Sequence, residues 1–122
     1  MATDYTKQPT GGTRAIGLEI LSGATNSDSL KLNGQIPVAL VIPVAPTGAS
    51  FTFQGALDHA PTTFYTLKDN LGANLTLTTS AGAGYYKLNP ADFDGVEIFR
   101  AVSASAEAAT RSMFLIVSNY KS

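Results

Sequence analysis

The chain has 122 residues, 44% of them hydrophobic and only 14% charged, with eight basic against nine acidic side chains and a net charge of −1. That length fits one domain around one core, and the charge balance leaves no cationic surface to hold a phosphate backbone. The absence of cysteine excludes thiol nucleophiles, disulfides and thiolate zinc sites.

Alanine, glycine, serine and threonine fill the places that charge usually takes, which implies a smooth, weakly charged surface. The opening segment MATDYTKQPTGGT is polar and ends in Pro9 and Gly11-Gly12. It reads as a flexible arm over residues 1–13, because it has nothing to bury, with a folded domain expected over 14–122. It also lacks the apolar stretch of a secretion signal. The longest apolar run, Ile36 to Ala45, carries Pro37 and Pro43 and is too short to cross a bilayer. Neither nucleic acid nor membrane is therefore expected as a partner.

From Arg14 onward, short apolar runs are separated by turn residues about every 8 to 12 positions, the spacing of a sandwich or barrel. Ile16, Leu18 and Ile20 alternate with Gly17 and Glu19. Leu30 and Leu32 flank Lys31, and Asn33-Gly34 makes a turn. Val38 to Val44 is rich in branched residues. Phe51, Phe53 and Leu57 alternate with smaller or polar residues, Gly55 sitting at an apolar parity. Runs at Phe64 to Lys68, Leu75 to Thr78, Tyr85 to Leu88, Val96 to Val102 and Ser112 to Asn119 complete the series. No window has a helical apolar period. Ala104 to Arg111, ASAEAATR, has helical propensity but no apolar stripe and reads as a loop. Pro90 to Gly95 reads as a short turn whose Phe93 plugs the core. The expected fold is an all-β, two-sheet antiparallel sandwich of eight or nine strands, jelly-roll-like or Ig-like, with Phe53 and Leu115 in its core.

Val38 to Ile42 and Met113 to Val117 are apolar at both parities. A strand in a two-layer sandwich meets the core on one face only, so the other face needs cover from a loop, the arm or another chain. The contact set expected from these strands is Val38, Leu40, Ile42, Phe114 and Ile116. Tyr65, Tyr85 and Tyr86 join it as amphipathic rings suited to a protein contact or to stacking on a sugar.

Chemistry is sparsely represented. His59, the single histidine, is next to Asp58, but neighbours in extended chain point to opposite faces and form no relay. No nucleophile elbow surrounds a serine. Asp92-Phe-Asp94-Gly95 resembles the start of a calcium loop, but only Glu97 follows as a nearby carboxylate. Gly82-Ala83-Gly84 lacks the length and lysine of a phosphate loop. Arg100 shares parity with Val96, Ile98 and Val102, so a core-facing guanidinium with a buried acceptor is expected, and Arg111 is expected to play a matching structural role. These residues suggest no enzyme and no cofactor.

The order of motifs is more specific than any one of them. Phe51-Thr-Phe-Gln54, Thr63-Phe64, Asp69-Asn-Leu-Gly72 and Leu88-Asn-Pro-Ala-Asp-Phe93 follow one another. Gly95, Ile98, Arg100, Val102-Ser103 and Arg111 come before a final apolar strand. Over roughly residues 15 to 118 this order resembles small structural proteins of tailed bacteriophages. The resemblance implies a virion protein with a β-sandwich, assembled in the host cytoplasm and acting as a capsid decoration, or cement, protein. It implies contacts to the major capsid protein or neighbouring virion proteins, and a homo-oligomer, trimer or dimer. A tail, baseplate or head-fibre station and a glycan-binding module are the alternatives. One departure is Asp58-His59-Ala60-Pro61, which stands where an Asp-Gly turn is expected. No functional residues carry over from the resemblance.

Overall fold

The structure is a computed structural model that describes residues 12–118. Nine strands follow in order: β1 Thr13–Ile20, β2 Leu30–Lys31, β3 Ile36–Ile42, β4 Ser50–Leu57, β5 Ala60–Thr66, β6 Thr76–Thr78, β7 Gly84–Lys87, β8 Ile98–Ser103 and β9 Arg111–Ser118. There is no α-helix among the described residues, and of ASAEAATR all but Arg111, which opens β9, is a loop. Most of the arm expected over residues 1–13 lies outside the described residues. Thr13 is already paired with Ser118 as the first residue of β1.

The strands form two antiparallel sheets, one in the order β1-β9-β3-β7 and the other β2-β8-β4-β5, with β6 also paired to β4. β5 and β6 share one edge of β4, β6 along Ser50 to Thr52 and β5 along Gln54 to Leu57. Nine strands thus fill eight places. The pairs β1–β9, β2–β8, β3–β7 and β4–β5 are nested like the two limbs of one long hairpin. Folding that hairpin over on itself brings β9 beside β3 and β8 beside β4. This is the jelly-roll arrangement.

Alternation sorts the side chains. Leu18 and Ile20 of β1, Leu40 and Ile42 of β3, and Met113, Leu115 and Val117 of β9 point inward and are buried. They meet Phe51 and Phe53 of β4 and Phe99 and Ala101 of β8. Phe93 closes the core from the β7–β8 connection. There Asn89 caps a single 3₁₀ turn over Pro90–Asp92 by accepting the Ala91 N–H at 3.2 Å, and Phe93 follows as the C-cap. Its ring meets Phe53 edge-on at 5.3 Å, and Phe53 stacks on Phe99 at 5.5 Å. At the β2–β3 turn, Asn33 and Gly34 have φ of 53° and 82°, the left-handed pair such a turn requires.

Three expectations are corrected. Leu40 and Ile42 are core residues, not contact residues. The outward positions of β3 are Ala39, which is itself buried, and half-buried Val41, because the register of β3 on β9 shifts between Pro37 and Ala39. Val38 sits unpaired with β9 at that bulge and is half-buried. Tyr86 is half-buried against the core, its hydroxyl donating to the Gly82 carbonyl. Arg100 faces outward, because β8 turns Phe99, Ala101 and Ser103 inward opposite Gly55, Phe53 and Phe51. Its Nε donates to Gln54 Oε1 at 2.7 Å and its guanidinium lies 3.8 Å from the Phe64 ring centroid.

Candidate functional site

The outer face of the β1-β9-β3-β7 sheet is the feature with most to offer a partner. Register builds it in rows. Gly17, Phe114, Val41 and Tyr85 lie side by side across all four strands, and Ala15, Ile116, Ala39 and Lys87 form the next row. Phe114 is 43% exposed and Tyr85 61%. Beyond Phe114, a groove of about 260 Å³ is lined by Pro43, Val44, Thr110, Arg111, Ser112 and Phe114. The outer positions of this sheet include two charged side chains, Glu19 on β1 and Lys87 on β7. Water-facing strands usually alternate apolar with polar residues, so among the described residues the rows form an apolar surface, exposed at Phe114 and Tyr85, half-buried at Val41 and Ile116 and closed at buried Ala39.

Of the expected contact set, the structure brings Phe114, Ile116 and Tyr85 together on this face. Ala15, Gly17, Ala39 and Val41 belong to it as well and were missed. The signal for Val41 was present in the doubly apolar run, but the bulge at Val38 sets which parity faces out.

Tyr65 belongs to the other sheet, on its edge strand β5, so it shares no platform with Tyr85. It is 62% exposed and lines a groove of about 230 Å³ with Leu57, Leu67 and Val96. Through Gly95, Val96 and Glu97 that groove adjoins a cleft of about 460 Å³ bordered by Asn33, Gln35, Asp58 and Asp94. The carboxylates here serve local structure. Glu97 accepts the Asp58 N–H at 2.7 Å, holding the β4–β5 hairpin, and Asp58 lies 3.9 Å from Lys31 Nζ. His59 is exposed in that two-residue turn and Asp58 faces the lysine. Asp92 and Asp94 are exposed. Among the described residues no group of three potential metal ligands converges.

At the opposite end of the sandwich is a residue that sequence reading passed over. Glu107 is buried, yet its carboxylate accepts from the Thr47 N–H at 2.8 Å, the Gly48 N–H at 3.0 Å, the Ser103 hydroxyl at 2.7 Å and Arg111 Nε at 3.0 Å. Its backbone N–H donates to Ala24 O, and its carbonyl accepts from Gly23 N–H. One residue thereby ties the β1–β2, β3–β4 and β8–β9 loops together. Burial alone pushes its pKa up. The Thr47 amide, the Ser103 hydroxyl, the Gly48 amide and Arg111 together outweigh burial and bring it down from 4.5 to about 2. A carboxylate so fully occupied is a structural staple with no free lone pair to offer a substrate. Gly48 makes the approach possible, since a Cβ there would collide with Ser103 Oγ. Arg111 thus has a structural partner, and the only local hint of it was the four-residue Glu–Arg spacing.

No protein-family model matches this chain, and no curated protein matches its sequence.

Proposed function

We propose that this chain is a structural, non-catalytic subunit of a tailed-phage virion, a decoration protein that sits on the outer capsid surface and stabilises the head through apolar contacts to neighbouring subunits. The observation that carries this reading is the outer face of the β1-β9-β3-β7 sheet, where Phe114, Ile116, Val41 and Tyr85 form an apolar surface on an otherwise weakly charged molecule. Jelly rolls serve capsid and lectin domains alike, so the fold by itself does not choose between functions. The motif order over residues 15 to 118 supports the virion assignment, and the apolar face supports assembly. With nothing to catalyse, such a subunit needs a rigid body and a surface for neighbours, which the Glu107 staple and the two rows supply.

The test is the copy number of the protein in purified particles, measured by quantitative mass spectrometry against the major capsid protein. A simple fraction of the capsid subunit count is expected, as for symmetric lattice sites. A handful of copies would move the protein to the tail, baseplate or a head fibre. Complete absence would overturn the virion reading in favour of a glycan-binding module, for which exposed Tyr65 beside its cleft is the supporting observation.

A further inference from the structure

We infer that the apolar face packs against the same face of a second copy of this chain, as a two-fold dimer in which Glu19 of each copy meets Lys87 of the other. This deepens the assembly reading by naming the occupant of the same face, and it rests on that reading's choice of face.

Arg111 at the groove is held by Glu107; the two charges at the outer positions of the strands, Glu19 and Lys87, are of opposite sign and occupy diagonal corners. Glu19 is on edge strand β1, level with Ser112 of β9. Lys87 is on edge strand β7, level with Ala39 and, through it, Ile116 of β9. The corners are three strands apart, about 14 Å, and four residues apart along the strands, again about 14 Å. The Phe114–Val41 pair lies midway between them. A two-fold axis lying in the face along the other diagonal, from the Ala15 corner through Phe114 and Val41, carries each charged corner onto the other. Two Glu19–Lys87 pairs then close the rim, and Phe114 and Val41 of the two copies meet at the centre.

The same operation places the uncharged residues. Tyr85, exposed at the end of its row, falls on the groove lined by Pro43, Val44, Ser112 and Phe114. Ile116 falls beside Gly17, where nothing lies within 4 Å of a built Cβ and the sheet surface is hollow. Because the square of corners has nearly equal sides, strands of the two copies cross at roughly 90°, one of the two angles at which sheets pack face to face. An isologous contact requires self-complementarity. Here projecting Tyr85 and Ile116 face hollows, and acid faces base. The square of corners is small beside the roughly 800 Å² per partner of a standard specific interface, so the dimer is a reversible one.

Analytical ultracentrifugation of the full chain, from micromolar to millimolar concentration, tests the inference. The mass is expected to rise from 12.7 kDa to twice that value. Glu19→Lys and Lys87→Glu each raise the dissociation constant about tenfold or more by opposing like charges. The double variant restores it to within about threefold, since the pairs re-form with their signs exchanged. Both positions are exposed, so the variants keep the fold, as circular dichroism will verify. A full chain that stays monomeric overturns the dimer, and so does one that converges on a trimer. A double variant as weak as the singles overturns the proposed axis. If only a chain lacking residues 1–11 dimerises, the face belongs to the chain's own arm and the proposal also fails. These outcomes concern purified protein and are independent of the copy number in particles, so the two readings fail separately.

Discussion

Glu107 is ionised in the folded chain down to about pH 2, whereas in the unfolded chain its carboxyl takes up a proton near 4.5. A folded pKa below the unfolded one means that the carboxylate stabilises the fold above about pH 4.5, and that this contribution fades as pH falls toward 2. The gap corresponds to about 3 kcal/mol. Urea denaturation of the native chain and of Glu107→Gln at several pH values isolates it from the other carboxylates. The two stabilities are expected to differ most near neutrality and to converge between pH 4.5 and 2. Parallel curves would show that the charge on Glu107 contributes nothing. Only the four-residue spacing to Arg111 hinted locally at this residue, because its partners Thr47 and Gly48 lie about sixty positions away and the Ala-rich loop around it has no pattern. Burial of an acid in such a loop is a tertiary fact.

Among the elements, the strands were legible and their faces only partly so. Alternation and turn residues located nine runs, although β5 begins at Ala60, well before the expected start at Phe64, and Asn33-Gly34 formed the turn its types prefer. Period-two patterning has a phase only when one parity is polar. In β3 both parities are apolar, so nothing in the run distinguishes Leu40 from Val41, and the bulge at Val38 decides. In β8 the large residues Ile98 and Val102 suggested one face, but Phe99 is the ring that meets both Phe53 and Phe93, and small Ala101 is the buried residue level with Phe53. Phe53 touches both rings and has no solvent-facing side. Phe53→Ala is expected to cost about 3–5 kcal/mol by leaving a cavity between β4 and the Phe93 turn. Chemical denaturation measures it, and a loss under about 1 kcal/mol would contradict the packing described for the three rings.

At the scale of the whole molecule, low charge and an apolar face set how attachment responds to solution conditions. If the capsid takes the place of the second copy on Phe114, Ile116 and Val41, attachment should persist in about 1 M salt, where screening reduces the reach of exposed charges to about 3 Å and apolar contacts remain. Particles washed at high salt and assayed for retained protein provide the measurement. Release under those conditions would mean that ion pairs hold the subunit. The site was less legible than the fold because a contact face is defined by which side chains no element of the chain covers, and that emerges only once all nine strands are in place.

The nested pairing also joins the beginning and the end of the sandwich. Thr13 opens β1 directly across from Ser118 at the close of β9, neighbours in one ladder and about 5 Å apart. The sandwich is therefore entered at Thr13 and left at Ser118 from one spot, on neighbouring strands of the sheet that carries the apolar face. A short linker from residue 118 to residue 13 would make the sandwich backbone a ring. The chain could then be reopened at an exposed turn such as Asp58-His59 with every strand pairing intact, the situation in which circular permutation is tolerated.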